Sequence, residues 1–125
     1  MTSHVHMIIE RQGRDLDKIV GEMKSFTSRS LRKEITNNPT ESRKEWLIWM
    51  MERAGKKNSN NNWQLWQQHN HPIELLNKEM FHQKLKYIHQ NPVEAGFVTK
   101  QEEYLYSSAR NYYEGKGLIE LSFIN

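Results

Sequence analysis

The residues best suited to chemistry near the start of the chain are two histidines, His4 and His6, in the stretch SHVHMIIE at residues 3–10. Polar and apolar residues alternate here, and a β-strand would place both imidazoles on one face, opposite Val5 and Met7. The chain has no cysteine, so a metal ion would have to be held by imidazole, amide or carboxylate groups. The pair is therefore a candidate half of a metal site, although a strand can also carry two histidines without function.

A second candidate lies in LKYIHQNPVEAGFV, residues 85–98, where Tyr87 and Asn91 are four positions apart. On a helix this spacing makes the two side chains project from the same side. Pro92 disfavours helical geometry at Asn91, which predicts that the helix ends or kinks there and leaves the Asn91 amide free to bond or ligate. A simpler interpretation is also open, since Asn-Pro often stops helices and a surface tyrosine needs no function.

Composition sets the limits for both candidates. The chain has 125 residues, of which 36% are hydrophobic, and its mean hydropathy is −0.91, which predicts one domain with a thin core. It contains no apolar run of the roughly 18 residues that cross a bilayer and no secretory signal, so we expect a cytoplasmic protein without a membrane partner. The net charge of +3 and the pI near 9.2 are compatible with a phosphate-bearing partner but are also common among other proteins.

Hydrophobic spacing and capping residues predict two helices in the first half of the chain. An amphipathic helix with a basic solvent face is expected from Asp15 to about Ile35. Ser42, with Glu45 three residues later, predicts a capping box for a second helix, which we expect to end near Ala54-Gly55.

The second half of the chain begins with a predicted loop, the polar run GKKNSNNN at residues 55–62. The next segment, WQLWQQHNHPIELL, predicts a strand over residues 63–69 that Pro72 interrupts or places at a sheet edge. Asn77 is then predicted to cap a third helix. The apolar stripe of that helix consists of Phe81, Leu85 and Ile88.

Four motifs occur in an order and at separations that resemble one known family. They are HVHMIIE, LWQQHNHPI, YIHQNPVEAGFV and YLYSSARNYY, and together they span nearly the whole chain. This arrangement is similar to that of the single-tyrosine HUH transposases, and most of all to the REP-associated tyrosine transposases. The most specific element is the histidine pair followed about 80 residues later by Tyr-Ile-His-x-Asn-Pro-Val-x-Ala-Gly.

The resemblance implies an α+β architecture, a partial ferredoxin-like fold with an antiparallel sheet and helices on one face. It also implies that His4, His6 and Asn91 bind a divalent metal, Mg²⁺ or Mn²⁺, and that Tyr87 attacks single-stranded DNA. The substrate would be a DNA hairpin, the product a 5′-phosphotyrosine with a free 3′-hydroxyl, and the active form a homodimer. Imidazole ligands alone would suit zinc equally well.

Other residues compete for these roles. The sequence HNH at residues 69–71 is a second His-x-His, but its central residue is polar and Pro72 follows it. His89 lies between Tyr87 and Asn91, and a helix turns it away from both, so we expect a solvated or core-edge histidine rather than a ligand. The remaining tyrosines form a cluster that more often packs or stacks than reacts, and the tryptophans are mainly core candidates, although one could stack on a base. The tyrosines are Tyr104, Tyr106, Tyr112 and Tyr113, and the tryptophans are Trp46, Trp49, Trp63 and Trp66.

The chain also departs from the family pattern. Members ordinarily have a strand, a helix and another strand before the histidine strand, whereas this sequence opens on the motif, with MTS where MPN is usual. We therefore interpret residues 1–125 as a single HUH transposase-like catalytic domain without that first segment. Two alternatives to an active transposase follow: a catalytically inactive remnant that binds DNA or merely folds, and a helical scaffold with incidental histidines.

Overall fold

The computed structural model describes residues 3–13, 15–58 and 61–122. Four α-helices and a short 3₁₀ turn account for all regular secondary structure in these residues. The helices are α1 (Leu16–Asn37), α2 (Lys44–Asn58), α3 (Lys78–Glu94) and α4 (Ala109–Tyr113), and the 3₁₀ turn is Gln101–Glu103. Within the described ranges, no helix is both long enough and apolar enough to span a membrane.

The chain divides into two compact units. The central unit comprises residues 10–72 and contains α1 and α2. The terminal unit comprises residues 1–9 and 73–125, and it contains α3, the 3₁₀ turn and α4. Both halves of the candidate site, the histidine pair and the Tyr87 helix, therefore belong to the terminal unit.

In the central unit, α1 and α2 pack together and the segment after α2 closes over them. The Trp66 indole donates a hydrogen bond to Thr27 Oγ1 on α1 at 2.8 Å, and the Gln64 backbone N–H donates to the Met51 carbonyl of α2 at 2.9 Å. The Arg32 guanidinium lies 4.9 Å from the centre of the Trp63 ring. These contacts attach residues 63–66 to the two helices.

The predicted α+β fold is wrong. The described residues contain no strand, and therefore no antiparallel sheet of the ferredoxin-like kind. Among the described residues, no strand lies beside residues 4–10 to pair with them, and they are exposed except for the half-buried Ile8. Residues 63–66 are half-buried, but against helices. An alternating pattern reports only which side chains can be covered, and the covering element need not be a sheet.

The predicted helices are present, but some of their limits differ. The first prediction, Asp15 to about Ile35, corresponds closely to α1, whereas α2 continues to Asn58 rather than ending near Ala54-Gly55. The N-terminus of α2 is also different, because the Arg43 N–H donates to the Glu41 side chain at 2.9 Å. Helix α2 begins at Lys44, which places Ser42 one position too early for the predicted capping box.

The start of α3 confirms the sequence prediction and its end does not. The Asn77 side chain caps the helix by accepting a hydrogen bond from the Met80 N–H at 2.8 Å. The helix then continues through Asn91 and Pro92 to Glu94. It is terminated by Gly96, whose φ of +75° is the left-handed conformation that glycine adopts without steric cost.

The hydrogen bonds at the end of α3 are those of a Schellman motif. The Gly96 N–H donates to the Val93 carbonyl and the Phe97 N–H donates to the Pro92 carbonyl, both at 2.9 Å. Ala95-Gly96 was therefore the true stop signal in the sequence. As a consequence, Asn91 is held inside the helix, one turn after Tyr87, rather than released at its end.

Candidate metal and tyrosine site

In the terminal unit, the rings of His4 and His6 converge with that of Tyr87, which lies about 80 residues later in the sequence. The ring centres of His4 and His6 are 4.8 Å apart, with an angle of 79° between the ring planes. The ring centre of His6 is 5.4 Å from that of Tyr87, again edge-to-face, with an interplanar angle of 71°. The structure therefore brings together two predicted metal ligands and the predicted nucleophile.

The surroundings of this cluster leave its reactive atoms accessible. The Tyr87 side chain is 49% exposed, and both histidines are exposed as well. His4 Nδ1 lies 3.1 Å from the Ser3 hydroxyl oxygen, within hydrogen-bonding distance. That bond leaves Nε2 as the nitrogen of His4 that could ligate a metal.

Partial removal of His6 from water lowers its pKa, and the nearby His4 lowers it further because two positive imidazoles would repel each other. Both effects favour the neutral ring near pH 7. Neutral imidazole is the form that donates a lone pair to a metal ion.

Asn91 is half-buried, and its amide nitrogen Nδ2 is buried without a hydrogen-bond partner in the described part of the chain. A buried polar atom without a partner is costly, and amide nitrogen and oxygen atoms can exchange places by rotation about the last side-chain bond. After such a rotation, the buried atom would be an oxygen lacking a partner, which is a suitable ligand for a cation. The role of Asn91 as the third ligand stays a prediction.

The donor set as a whole would hold a divalent cation only weakly, and its two imidazoles suit zinc at least as well as Mg²⁺ or Mn²⁺. Residues 3–13, 15–58 and 61–122 contain no cluster of three or more histidine, aspartate or glutamate side chains that could hold a metal. The candidate set instead has two imidazoles and an amide, and none of these is negatively charged. Substrate phosphate oxygens and water would have to complete the coordination, as is common for Mg²⁺.

The second histidine pair has a different environment. His69 and His71 belong to the central unit, and their ring centres are 6.2 Å apart. Asn70, between them, accepts a hydrogen bond at 2.6 Å from the ammonium group of Lys24. A fixed positive charge beside the pair opposes binding of a metal cation, so the first pair is the better candidate.

His89 has a structural position that its sequence context did not reveal. The side chain is only 4% exposed, its Nε2 shares a 2.9 Å hydrogen bond with the Ser108 hydroxyl, and its ring lies against Tyr112. We expected a solvated or core-edge histidine. The apolar stripe 81/85/88 runs directly beside position 89, and this adjacency was the available signal for burial.

Burial lowers the pKa of His89, which makes stability depend on pH. Below the ordinary histidine pKa of about 6.5, the unfolded chain binds a proton at this ring that the folded chain resists, so stability falls as the pH falls. We expect His89→Gln, which keeps an amide that can bond Ser108 but cannot titrate, to lose less stability between pH 7.5 and pH 5. The difference in slope should not exceed the one-proton limit of ~1.4 kcal/mol per pH unit.

Urea unfolding at several pH values measures this slope for the parent chain and for His89→Gln. Equal slopes would mean that the buried His89 ring does not control the acid sensitivity.

Searches of protein-family models, of curated proteins and of solved structures found no match for this chain.

Proposed function

We propose that this chain is a metal-dependent tyrosine endonuclease and strand transferase that acts on single-stranded DNA in the manner of the REP-associated tyrosine transposases. The observation that carries the proposal is the convergence of His4 and His6 with Tyr87. Ligand-type side chains beside an exposed phenol are what a metal-assisted attack on a phosphodiester requires. The motif resemblance supports the same assignment.

In this mechanism the Tyr87 oxygen forms a bond to the phosphorus of a DNA phosphodiester as the bond from phosphorus to the 3′ oxygen breaks. The phenol proton passes to solvent, and the released 3′ oxygen takes up a proton to give a hydroxyl. A bound divalent cation would withdraw charge from the phosphate and favour the phenolate form of tyrosine. The phosphotyrosine linkage retains the energy of the broken bond, so rejoining to another 3′-hydroxyl needs no ATP.

The chain's own residues hold the reacting groups in place. Helix α3 carries Tyr87 and Asn91 on one face, and the hydrogen bond shared by His89 Nε2 and the Ser108 hydroxyl restrains its rotation. His4 and His6 would supply imidazole nitrogens to hold the cation. The exposed Tyr87 gives an extended DNA strand direct access to the nucleophile.

A second candidate function is a catalytically inactive DNA-binding remnant. The observation that favours it is that the described residues form no sheet beneath residues 4–10, which leaves both histidines on an exposed segment. Metal ligands act best when their own positions are fixed by the surrounding packing. The two candidates differ in one measurable property, the formation of a metal-dependent covalent adduct with DNA.

The metal site is tested with two matched histidine variants, His6→Ala and His69→Ala. A labelled single-stranded hairpin is incubated with each variant over a range of Mn²⁺ concentrations, and adduct is measured on a denaturing gel. Because loss of outer-shell partners alone weakens metal sites by about 10–100-fold, His6→Ala should raise the Mn²⁺ requirement at least tenfold. His69→Ala should leave the requirement unchanged, since that ring lies in the other pair.

The opposite pattern, with His69→Ala impaired and His6→Ala normal, would assign the metal site to His69 and His71. DNA binding without an adduct in the parent chain at any Mn²⁺ concentration would support the inactive remnant.

We further propose that the protein works as a homodimer in the cytoplasm, where its DNA substrate would be found. Large exposed apolar side chains of the terminal unit support self-association: Tyr106, Leu118 and Ile119 are 78%, 60% and 69% exposed.

A further inference from the structure

The solvent face of α2 combines aromatic and basic side chains. Trp46 and Trp49 are 54% and 51% exposed, although tryptophan usually buries most of its surface in a chain of this size. Arg53, Lys56 and Lys57 follow on the same side of the helix at spacings of three and four residues. We call these five residues the aromatic-basic face of α2.

The opposite side of α2 explains why this face remains uncovered. Met51 and Gly55 are buried there, with Met51 only 5% exposed, and the segment beginning at Trp63 packs against them. Helix α2 therefore meets the core of the central unit through its other side. The exposed tryptophans do not contribute to that core, and their apolar surface needs another explanation.

The charge of the face is positive over its C-terminal half. Glu52, at the border of the face, forms an ion pair with Arg32 of α1 at 3.1 Å, which leaves three cations around Trp49. Glu45 lies one turn before Trp49, toward the other end of the helix. Over the C-terminal half of the face, a phosphate chain would thus contact Arg53, Lys56 and Lys57, with the Glu52 carboxylate already paired.

The geometry around Trp49 suits a flat ligand. The Arg53 guanidinium lies 5.1 Å from the centre of the Trp49 ring, a cation–π contact that fixes the indole. Trp49, Glu52, Arg53, Lys56 and Lys57 line an open recess of about 440 Å³. An indole beside several cations can stack on a nucleobase while the cations contact the phosphates on either side.

We propose that the aromatic-basic face of α2 binds single-stranded nucleic acid, by base stacking on Trp49 and phosphate contacts from Arg53, Lys56 and Lys57. The choice of ligand rests on the proposed function, but the surface itself lies in the central unit and takes no part in the chemistry at Tyr87. A second copy of the chain is a poorer occupant. Lysine is depleted in protein–protein interfaces, and the C-terminal half of this face carries both Lys56 and Lys57.

The experiment measures fluorescence anisotropy of a labelled 15-nucleotide oligothymidine with the full chain, in a Tyr87→Phe background so that no chemistry occurs. Because stacking on one aromatic ring contributes substantially to single-strand affinity, Trp49→Ala should weaken binding at least fivefold. Trp49→Phe should restore most of the loss. Phe26→Ala, which removes an aromatic ring that is 66% exposed on α1, is the matched control and should change affinity less than twofold.

The charged residues are tested through the salt dependence of binding. Lys56→Ala/Lys57→Ala should reduce the slope of log affinity against log salt by about 1.4, since each phosphate contact to a single strand contributes about 0.7. Lys33→Ala on α1 is the charge control and should not change the slope. Unchanged affinity in Trp49→Ala, or an unchanged slope in the double lysine variant, would overturn the proposal.

Sedimentation of the same variants separates the alternatives. If Trp49→Ala dissociates an oligomer and leaves oligothymidine binding intact, the face is a self-association surface and the proposal is wrong. The proposed catalytic function can fail independently: a chain that never forms an adduct but loses DNA affinity in Trp49→Ala would retain this surface and lose only the enzyme assignment.

Discussion

Tyr87→Phe is expected to abolish the covalent protein–DNA adduct and to leave DNA binding within about twofold of the parent chain. The substitution deletes the attacking oxygen and keeps the ring that lies against His6. An exposed phenol contributes little to folding, so loss of adduct can be assigned to chemistry rather than to unfolding. The measurement is a denaturing gel of a hairpin labelled on the 5′ side and, separately, on the 3′ side of the cleavage site.

The two labels also test the direction of cleavage. A 5′-phosphotyrosine links the protein to the fragment downstream of the break and releases the upstream fragment with a 3′-hydroxyl. Tyr106→Phe, at a position 78% exposed, is the matched control and should form adduct at the parent rate. If adduct persists in Tyr87→Phe, Tyr87 is not the nucleophile. The tyrosines from Tyr104 to Tyr113 would then be the next candidates.

The members of the candidate site could be predicted from the sequence because each motif carries its own local signal. His4 and His6 are adjacent, and Tyr87 and Asn91 are one helical turn apart, so their spacing alone pairs them. The contact of His6 with Tyr87 is a tertiary fact, which local spacing does not contain. The family resemblance supplied that expectation, and the 5.4 Å contact between His6 and Tyr87 agrees with it.

The architecture around the site could not be predicted in the same way. Alternating polarity near His4 and aromatic residues near Trp63 both favoured strands, yet a strand exists only where a second one pairs with it. In the described residues the segment after Trp63 bonds to α1 and α2 instead, through Thr27 and Met51. Similarly, Pro92 predicts an end of α3 that is too early. The helix continues past Pro92 and is ended by Gly96, which adopts the left-handed conformation.

The burial of His89 could not be predicted from its residue type either. Histidine is found at intermediate burial on average, so its polarity did not indicate a core position. The compensating partner, Ser108, lies on a different element and cannot be paired with it from sequence. The hydrogen bond gives the His89 ring nitrogen a partner, and a polar group can be buried at low cost only when it has one.

Gly55→Ala is expected to destabilise the protein by about 3 kcal/mol, at the upper end of the effects of overpacking a buried site. Gly55 is buried in the last part of α2, and a Cβ atom there would collide with the backbone N, Cα and C atoms of Trp63. A side-chain neighbour could rotate away, but a backbone neighbour can move only if the chain around it moves. The segment after Trp63 would then lose its hydrogen bond from Gln64 to Met51 and its packing on α1.

The sign of this effect distinguishes packing from helix propensity, because alanine in a helix interior is otherwise favoured over glycine by about 1 kcal/mol. Gly21→Ala on α1 is the matched control, since a Cβ there meets no atom within 4 Å. It should raise the free energy of unfolding by several tenths of a kcal/mol or more, to at most ~1 kcal/mol. Urea unfolding followed by tryptophan fluorescence measures both variants. If Gly55→Ala were as stable as Gly21→Ala, the close approach of α2 to Trp63 would be wrong, and with it the packing that leaves the aromatic-basic face of α2 turned toward solvent.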